Sequence, residues 1–421
     1  MLNICIVAGA RPNFIKVAPL VRAVIKAKEE GREIDYRLVY AGTKEDATLE
    51  SSLFSDLEIS EPDVYLGVDC VSLNELTGRV MAEFDKYLEA NPADVVIVVD
   101  DLASTMAVAI VTKKHGVTLA HLVAGTRSFD IKMPKEINRL VIDGLSDLLF
   151  TAGMGSNSIV TREGAELSQV YMVGNILMDT LRYNRARFVR PAVLDELGIS
   201  DNRYLVFTLN RKALIADADN LKKMVVAMCR AAGDIKVVAP LRSAAKAVVE
   251  QFAAECGNLV IVNPLSYLEF GYLTANAMGI VTDSGNVAEE ATFNSVPCIT
   301  LNSYTEHIET VKCGSNVLVG ENAEKLAEAV ADMVGGNWKK CSLPDRWDGR
   351  TAERIVQILL EMKYKMERKV VLITGATSGI GEACARKFAE GGYDLILTGR
   401  NEEKLKAICE KVKRLELTCC R

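Results

Sequence analysis

An α/β protein with parallel sheets and crossover helices is the class this sequence predicts, and two observations carry that expectation. Short β-branched apolar runs alternate with helix-length amphipathic stretches, the pattern of parallel strands covered by helices on both faces. The pattern also restarts after residues 188–202. Two similar units are therefore expected, at residues 1–188 and 189–366, followed by a shorter segment at 367–421.

In the first unit the strands fall at residues 3–8, 36–40, 95–99, 118–122, 148–151 and 169–173. In the second they fall at 204–209, 235–239, 259–262, 279–282, 297–300 and 316–319. Each apolar run is followed by turn residues or a helical pattern. Ligands in such folds sit beyond the carboxyl ends of the strands, so two facing units put their loops around a shared cleft.

Composition narrows the function. A chain of 421 residues with 49% hydrophobic and 25% charged residues has room for two or three domains. A net charge of −6 argues against a nucleic-acid partner. The cysteines number eleven, with no C-x-x-C spacing, which fits reduced thiols of a cytoplasmic protein better than disulfides or a zinc site. No apolar run approaches the roughly 20 residues that span a bilayer, so no membrane partner is expected. Residues 2–8 lack the basic flank and cleavage site of a signal peptide and read as a first strand.

Two strand-to-helix corners carry the chemistry. At 280–290 an apolar run stops at Ser284-Gly285, and a helix follows with Glu289 and Glu290 in its first turns. Amides at such a helix start can hold phosphate oxygens, while a carboxylate farther in can grip ribose hydroxyls. At the first corner Gly9 permits a tight turn, Pro12 suits a helix start, and Arg11 and Lys16 put two cations beside the helix N-terminus. The competing reading of Arg11 and Lys16 is a solvated basic face; the place of Arg11 at the corner favours an anion site.

In order along the chain stand Gly9-Ala10-Arg11-Pro12, Val98-Val99-Asp100-Asp101, the run from His121 to Arg127, Pro134-Lys135-Glu136-Ile137-Asn138-Arg139, Val173-Gly174-Asn175, Thr208-Leu209-Asn210-Arg211, and Thr282-Asp283-Ser284-Gly285 with Glu289-Glu290. Over about residues 1–365 this series resembles the non-hydrolysing UDP-N-acetylglucosamine 2-epimerases. The resemblance implies a GT-B-like pair of Rossmann-type domains, a homodimer, a nucleotide sugar in the interdomain cleft and no cofactor. It also implies that a helix at 352–365 packs back toward the first domain. By the same resemblance Arg11, Lys16 and Arg211 lie near the phosphates or active site, Ser284, Gly285 and Glu290 contact diphosphate and ribose, and Phe270 lies beside uracil. Asp101, Glu136, Asn138 and Arg139 take polar positions near the sugar. The implied reaction expels UDP to give a 2-acetamidoglucal and adds it back with the C2 proton on the other face. Such a route needs a carboxylate base, an acid opposite and cations for the leaving diphosphate.

The catalytic half departs from the pattern. Val123 stands where the family carries a carboxylate, Lys135 where another acid is expected, Asn210 and Arg242 where histidines are, and His307 where an arginine is. Two readings stay open. In the first, Asp100, Asp101 and Glu136 rebuild an acid/base pair around an altered sugar, with Lys135 and Arg242 meeting an extra anionic group such as a uronate. In the second, the protein binds a nucleotide sugar as a sensor, scaffold or inactive partner.

Of the three histidines, His115 reads as a surface residue at a helix end and His121 as a loop-orienting or core residue. His307, standing for a fixed cation, reads as a candidate pH switch on nucleotide affinity. The last segment, 369–381, is a strand, a glycine-rich turn and a helix start, with Gly375, Gly379 and Gly381 in T-G-x-x-x-G-I-G spacing and Arg400 after a second strand. It resembles the opening of a short-chain dehydrogenase/reductase, and Arg400 suits the 2′-phosphate of NADP. That family's Tyr-x-x-x-Lys pair would lie beyond Arg421. We therefore expect a truncated or fused fragment without working cofactor chemistry and with little core of its own.

Overall fold

Val95–Val99 is a run of four valines and one isoleucine, all buried. Such a run, with no polar alternation, belongs in the middle of a parallel sheet covered on both faces, and that is where it lies. The computed structural model describes residues 1–49, 52–164, 169–367, 370–391, 393–413 and 419–420. Residues 1–355 form one unit and 356–421 another.

The first unit contains two parallel sheets. The first consists of β1 (Leu2–Ala8), β2 (Ile34–Tyr40), β3 (Val64–Tyr65), β4 (Val95–Val99), β5 (Thr118–Ala124), β6 (Leu148–Thr151) and β7 (Gln169–Met172), in the order β3-β2-β1-β4-β5-β6-β7. The second consists of β8 (Tyr204–Phe207), β9 (Lys236–Pro240), β10 (Leu259–Val262), β11 (Gly279–Thr282), β12 (Cys298–Thr300) and β13 (Asn316–Leu318), in the order β10-β9-β8-β11-β12-β13. Both are doubly wound. The strand order reverses between β1 and β4 in one and between β8 and β11 in the other, and a crevice for a ligand opens at such switch points.

Two differences from the sequence reading matter. β3 was not anticipated; at two residues it is too short to show alternation. β5 runs on to Ala124, and its pairing with β6 skips from Leu122 to Ala124, which bulges Val123 out of the ladder.

The opening of the helix Thr351–Glu367 is tied to the first domain, as Thr351 N and Ala352 N donate to the Asp179 carboxylate at 3.0 and 2.8 Å. Burial pushes Asp179 up to about 6.

The second unit is a parallel sheet of β14 (Val370–Thr374), β15 (Asp394–Thr398) and β16 (Cys419–Cys420), in that order. Its core is small: Ile373, Leu395 and Leu397 alternate inward and pack with Ala385, Ala389 and Ile408 of its helices. The intervening residues Val370, Leu372 and Ile396 are exposed, so one face of this sheet is left bare.

Candidate active site

The first corner is built around Asn13. Gly9 N and Ala10 N donate to its Oδ1 at 2.8 and 3.2 Å, which closes the turn as the helix Arg11–Glu29 begins. Pro12 is therefore the second helical residue and not the first. A Cβ on Gly9 would lie 2.2 Å from Ser104 Oγ, so any larger residue would have to displace that side chain. One turn on, Lys16 is buried and its Nζ donates to Asp100 Oδ1 at 2.5 Å. Burial disfavours its charge, but Asp100, with Glu289 and Asp101 farther off, outweighs this and holds the ammonium above its usual range.

Asp100 and Asp101 follow β4. Asp100 takes a left-handed backbone, φ 58°, and its Oδ2 accepts from Asn13 Nδ2 at 2.8 Å. Asp101 accepts from Arg139 Nη2 at 2.6 Å and meets Lys135 Nζ at 3.3 Å. Burial raises its pKa, yet Lys135 and Arg139 outweigh burial and keep the carboxylate below its ordinary range. Asn138 Nδ2 donates to the Asp101 carbonyl at 2.8 Å.

Arg139 is the hub of the first domain's wall. Besides Asp101 it bonds Glu136 Oε2 at 3.0 Å and, across the cleft, both oxygens of Glu306 at 2.7 Å. Such a fork against a carboxylate is the strongest ion-pair geometry available. Glu136 is turned away from the space: it accepts from Ser128 N, Ser128 Oγ and Phe129 N at 2.9, 2.9 and 3.0 Å, which holds the loop after β5.

The second corner closes as expected. Ser284 N donates to Thr282 Oγ1 at 3.0 Å, and Ser284 caps the helix Gly285–Phe293 by accepting from Val287 N. A Cβ on Gly285 would lie 3.0 Å from the His307 ring, so this glycine lets His307 rest against the helix tip. His307 Nδ1 meets Glu289 Oε1 at 2.8 Å, and Asn175 Nδ2 donates to the same oxygen at 2.7 Å. Burial pulls the imidazole pKa down, but the charge and hydrogen bond of Glu289 prevail and raise it. Glu290 is buried, and burial together with Glu289 pushes it up to about 8. Beside it the Tyr267 hydroxyl is buried with no hydrogen-bond partner among the described residues, and burial lifts it well above the usual tyrosine range.

These corners enclose a cavity of about 230 Å³. The first domain contributes Lys16, Asp100, Asp101, His121, Val123 and Arg139, and the second contributes Asn286, Glu306 and His307. Of the residues named from sequence, Lys16, Asp100, Asp101, Lys135, Arg139 and His307 thus meet in one space, with His121 and Val123 beside them. Glu136 and Asn138 stand behind it. Arg11 lies between Ala10 and Pro12, which both line it. Ser284 and Gly285 form the helix tip that carries Asn286.

Arg211, Arg242 and Phe270 are outside the lining. Arg211 is spent within its own domain, where its N donates to Asp283 Oδ2 at 2.5 Å and its guanidinium pairs with Glu321. Arg242 is exposed at the start of the helix Ser243–Val249. Phe270 packs on the core around Val287. Sequence reasoning missed Glu306, because nothing near it in the chain marks a partner 167 residues away. It also missed Asp143, whose only signal was its place one turn past Arg139.

In the second unit Gly375 and Gly379 take φ 68° and 56°, and a Cβ on Gly381 would strike the Gly375 carbonyl at 2.2 Å. The corner thus has the tight turn and close backbone approach that a dinucleotide's diphosphate needs.

Residues 369–420 match the short chain dehydrogenase model. Residues 26–360 match the model for UDP-N-acetylglucosamine 2-epimerase. The chain is 33% identical over 377 residues to the UDP-N-acetylglucosamine 2-epimerase of Methanocaldococcus jannaschii, covering 86% of this chain and all of that one. It is 31% identical over 337 residues to the UDP-2,3-diacetamido-2,3-dideoxy-D-glucuronate 2-epimerase of Pseudomonas aeruginosa, covering 79% and 93%. A crystal structure of the Methanocaldococcus enzyme in complex with UDP-GlcNAc and UDP aligns with a TM-score of 0.72 at 32% identity, over 86% of this chain and 100% of that one. With two doubly wound sheets, an anion-ready corner on each and these matches over most of its length, the chain belongs to the UDP-N-acetylglucosamine 2-epimerase family.

Proposed function

We propose that the protein epimerises a UDP-sugar at C2 by eliminating and re-adding UDP. A carboxylate takes the C2 proton, the C2–H electron pair becomes the C1=C2 double bond, and the C1–O bond breaks to release UDP. Re-addition returns the proton to the opposite face of C2 while a UDP oxygen re-forms the bond at C1. Asp100 and Asp101 are the proposed proton-exchanging pair, the first-domain carboxylates that face the cavity. Arg139 and Glu136 hold Asp101 and its loop. Lys16 and His307, with the amides at Ser284 and Gly285, stabilise the charge growing on the diphosphate; Glu290 takes the ribose, Arg11 and Asn138 support the seat, and Arg211 and Phe270, outside the lining, are left out of it.

The observation that carries this reading is the meeting of Lys16, Asp100, Asp101 and Arg139 with Asn286 and His307 around one cavity. The test is incubation with UDP-sugars in D2O. Deuterium at C2 is expected, and tight UDP binding with no exchange on any sugar would leave only the second reading, a nucleotide-sugar-binding homologue. That reading is favoured by one feature: every carboxylate lining the cavity is already paired, Asp100 with Lys16 and Asp101 and Glu306 with Arg139, while the bulge offers only Val123.

Lys135 is the proposed reader of an acidic group on the sugar. Its side chain is 58% exposed at the cavity rim with Asp101 at 3.3 Å, and one relative acts on a glucuronate. Arg242 is left out of this role. If Lys135 acts so, Lys135→Gln weakens uronate binding about tenfold and leaves UDP binding intact; equal losses for both would assign Lys135 to the phosphates. We propose further a cytoplasmic homodimer, checked by sedimentation.

A further inference from the structure

Two residues that line the cavity have left-handed backbones, Asp100 at φ 58° and Val123 at 73°, and so does Gly125, two residues past Val123, at 76°. Glycine tolerates this freely, aspartate less so, and a β-branched valine is an outlier. Backbone strain of this kind persists only where the surroundings over-determine it, and it clusters at functional sites. One buried carboxylate is bonded to the Val123 loop directly and to the Asp100 loop through His121. Asp143, on the helix Pro134–Leu145, accepts from His121 Nδ1 at 2.6 Å, from Gly125 N at 3.1 Å and from Arg127 Nη2 at 2.7 Å. His121 in turn donates from Nε2 to the Asp100 carbonyl at 2.9 Å. Arg127 is backed by Glu163, whose Oε1 accepts from its Nε at 3.0 Å.

The chain of bonds therefore runs from Asp143 through His121 to the backbone of Asp100, and directly to the loop that carries Val123. A Cβ on Gly125 would lie 2.4 Å from the Ser156 carbonyl, so that loop cannot slide outward without unpacking. Both partners of His121 are acceptors. An ionised carboxylate faces Nδ1 and a carbonyl faces Nε2, so the ring fills both contacts only with a hydrogen on each nitrogen. Asp143 does not line the cavity, and nothing in the proposed chemistry uses it.

We infer that Asp143, acting through a doubly hydrogen-bonded His121, is a positioning residue that clamps the loops bearing Asp100 and Val123 in their left-handed form, and so aims the Asp100 carboxylate at Lys16. Its catalytic consequence rests on the epimerase reading; the clamp does not. Its removal frees the loops without removing any group that touches the sugar or nucleotide.

The test compares the parent with Asp143→Asn. In that variant the amide oxygen faces the Gly125 and Arg127 donors, and the amide nitrogen faces His121, which must give up its Nδ1 hydrogen. Nitrogen NMR of the parent, with His121 assigned through His121→Gln, is expected to show hydrogens on both ring nitrogens. In Asp143→Asn one nitrogen is expected to become a bare acceptor, with amide exchange at residues 100–101 and 122–127 at least tenfold faster while β1 and β4 stay protected. C2 exchange is expected to lose at least tenfold in kcat with KM within about threefold. A parent ring with a bare nitrogen overturns the proposal even if the variant does not fold, as does unchanged loop exchange in a folded variant. If the parent turns over no UDP-sugar, the epimerase reading fails, and the ring and exchange measurements still decide the clamp.

Discussion

Val123 is the residue whose replacement separates local strain from packing. It is half-buried at φ 73°, a conformation that costs a β-branched residue on the order of 1–3 kcal/mol, whereas asparagine accepts it readily. Val123→Asn is therefore expected to change stability by less than about 0.5 kcal/mol, while the same change at Val99, fully buried in β4, costs about 3 kcal/mol. Equal losses in denaturant melts would show that Val123 is unstrained. Glu290 and His307 set a second residue-scale expectation. With Glu290 held at about 8 against an ordinary 4.5, the folded chain keeps a proton that the unfolded chain has released. Stability from this site accordingly falls as pH rises between those values. His307, raised above 6.5 by Glu289, acts in the same sense: its contribution is whole below 6.5 and is lost as pH climbs through the raised value. The melting temperature of Glu290→Gln relative to the parent should climb steadily from pH 5 to 8. A constant difference would mean that Glu290 ionises normally.

At the scale of elements, the motifs legible in sequence are explained mostly by backbone approach. Gly174 sits at φ 103°, and a Cβ there would lie 2.1 Å from the Arg346 carbonyl. Gly164 shares the positive φ, 86°, with open space around it. Gly174→Ala should thus cost about 3 kcal/mol and Gly164→Ala about 1 kcal/mol, the first adding a backbone collision to the conformational cost. Chemical denaturation of the two variants checks this, and matching values would remove the collision. β4, β6, β10 and β11 were readable to the residue because runs such as Val95–Val99 have one period and sharp ends. β3 was not, since two residues carry no period, and neither was the bulge at Val123, which pairing with β6 imposes.

Across the whole molecule several contacts join the two halves of the first unit, Asn175 with Glu289 and Asp179 with residues 351–352 among them, and the segment 306–309 adds two carboxylates. Glu306 reaches Arg139, and Glu309 Oε1 accepts from Gly155 N at 2.8 Å. The second seat exists because Gly153 and Gly155 lack a Cβ, which would come within 2.7 and 2.9 Å of the Glu309 carboxylate. Glu306→Ala leaves Arg139 with Asp101 and Glu136, so a loss of about 1–3 kcal/mol is expected, together with faster amide exchange at residues 303–309. Unaltered exchange there would show that Glu306 does not hold the domains together. Apolar periodicity and turn chemistry act within a few residues, so the sequence alone determined the paired α/β units, the cationic corner at Arg11 and Lys16, the capped helix tip at Ser284 and the family. Which carboxylates face the cavity, that Glu136 turns away to hold a loop, that Arg211 is occupied by Asp283 and Glu321, and that Asp143 underpins the floor were decided only by tertiary structure. Those contacts join residues far apart in the chain, and a hydrogen bond of that kind exists only once both backbones have been brought together.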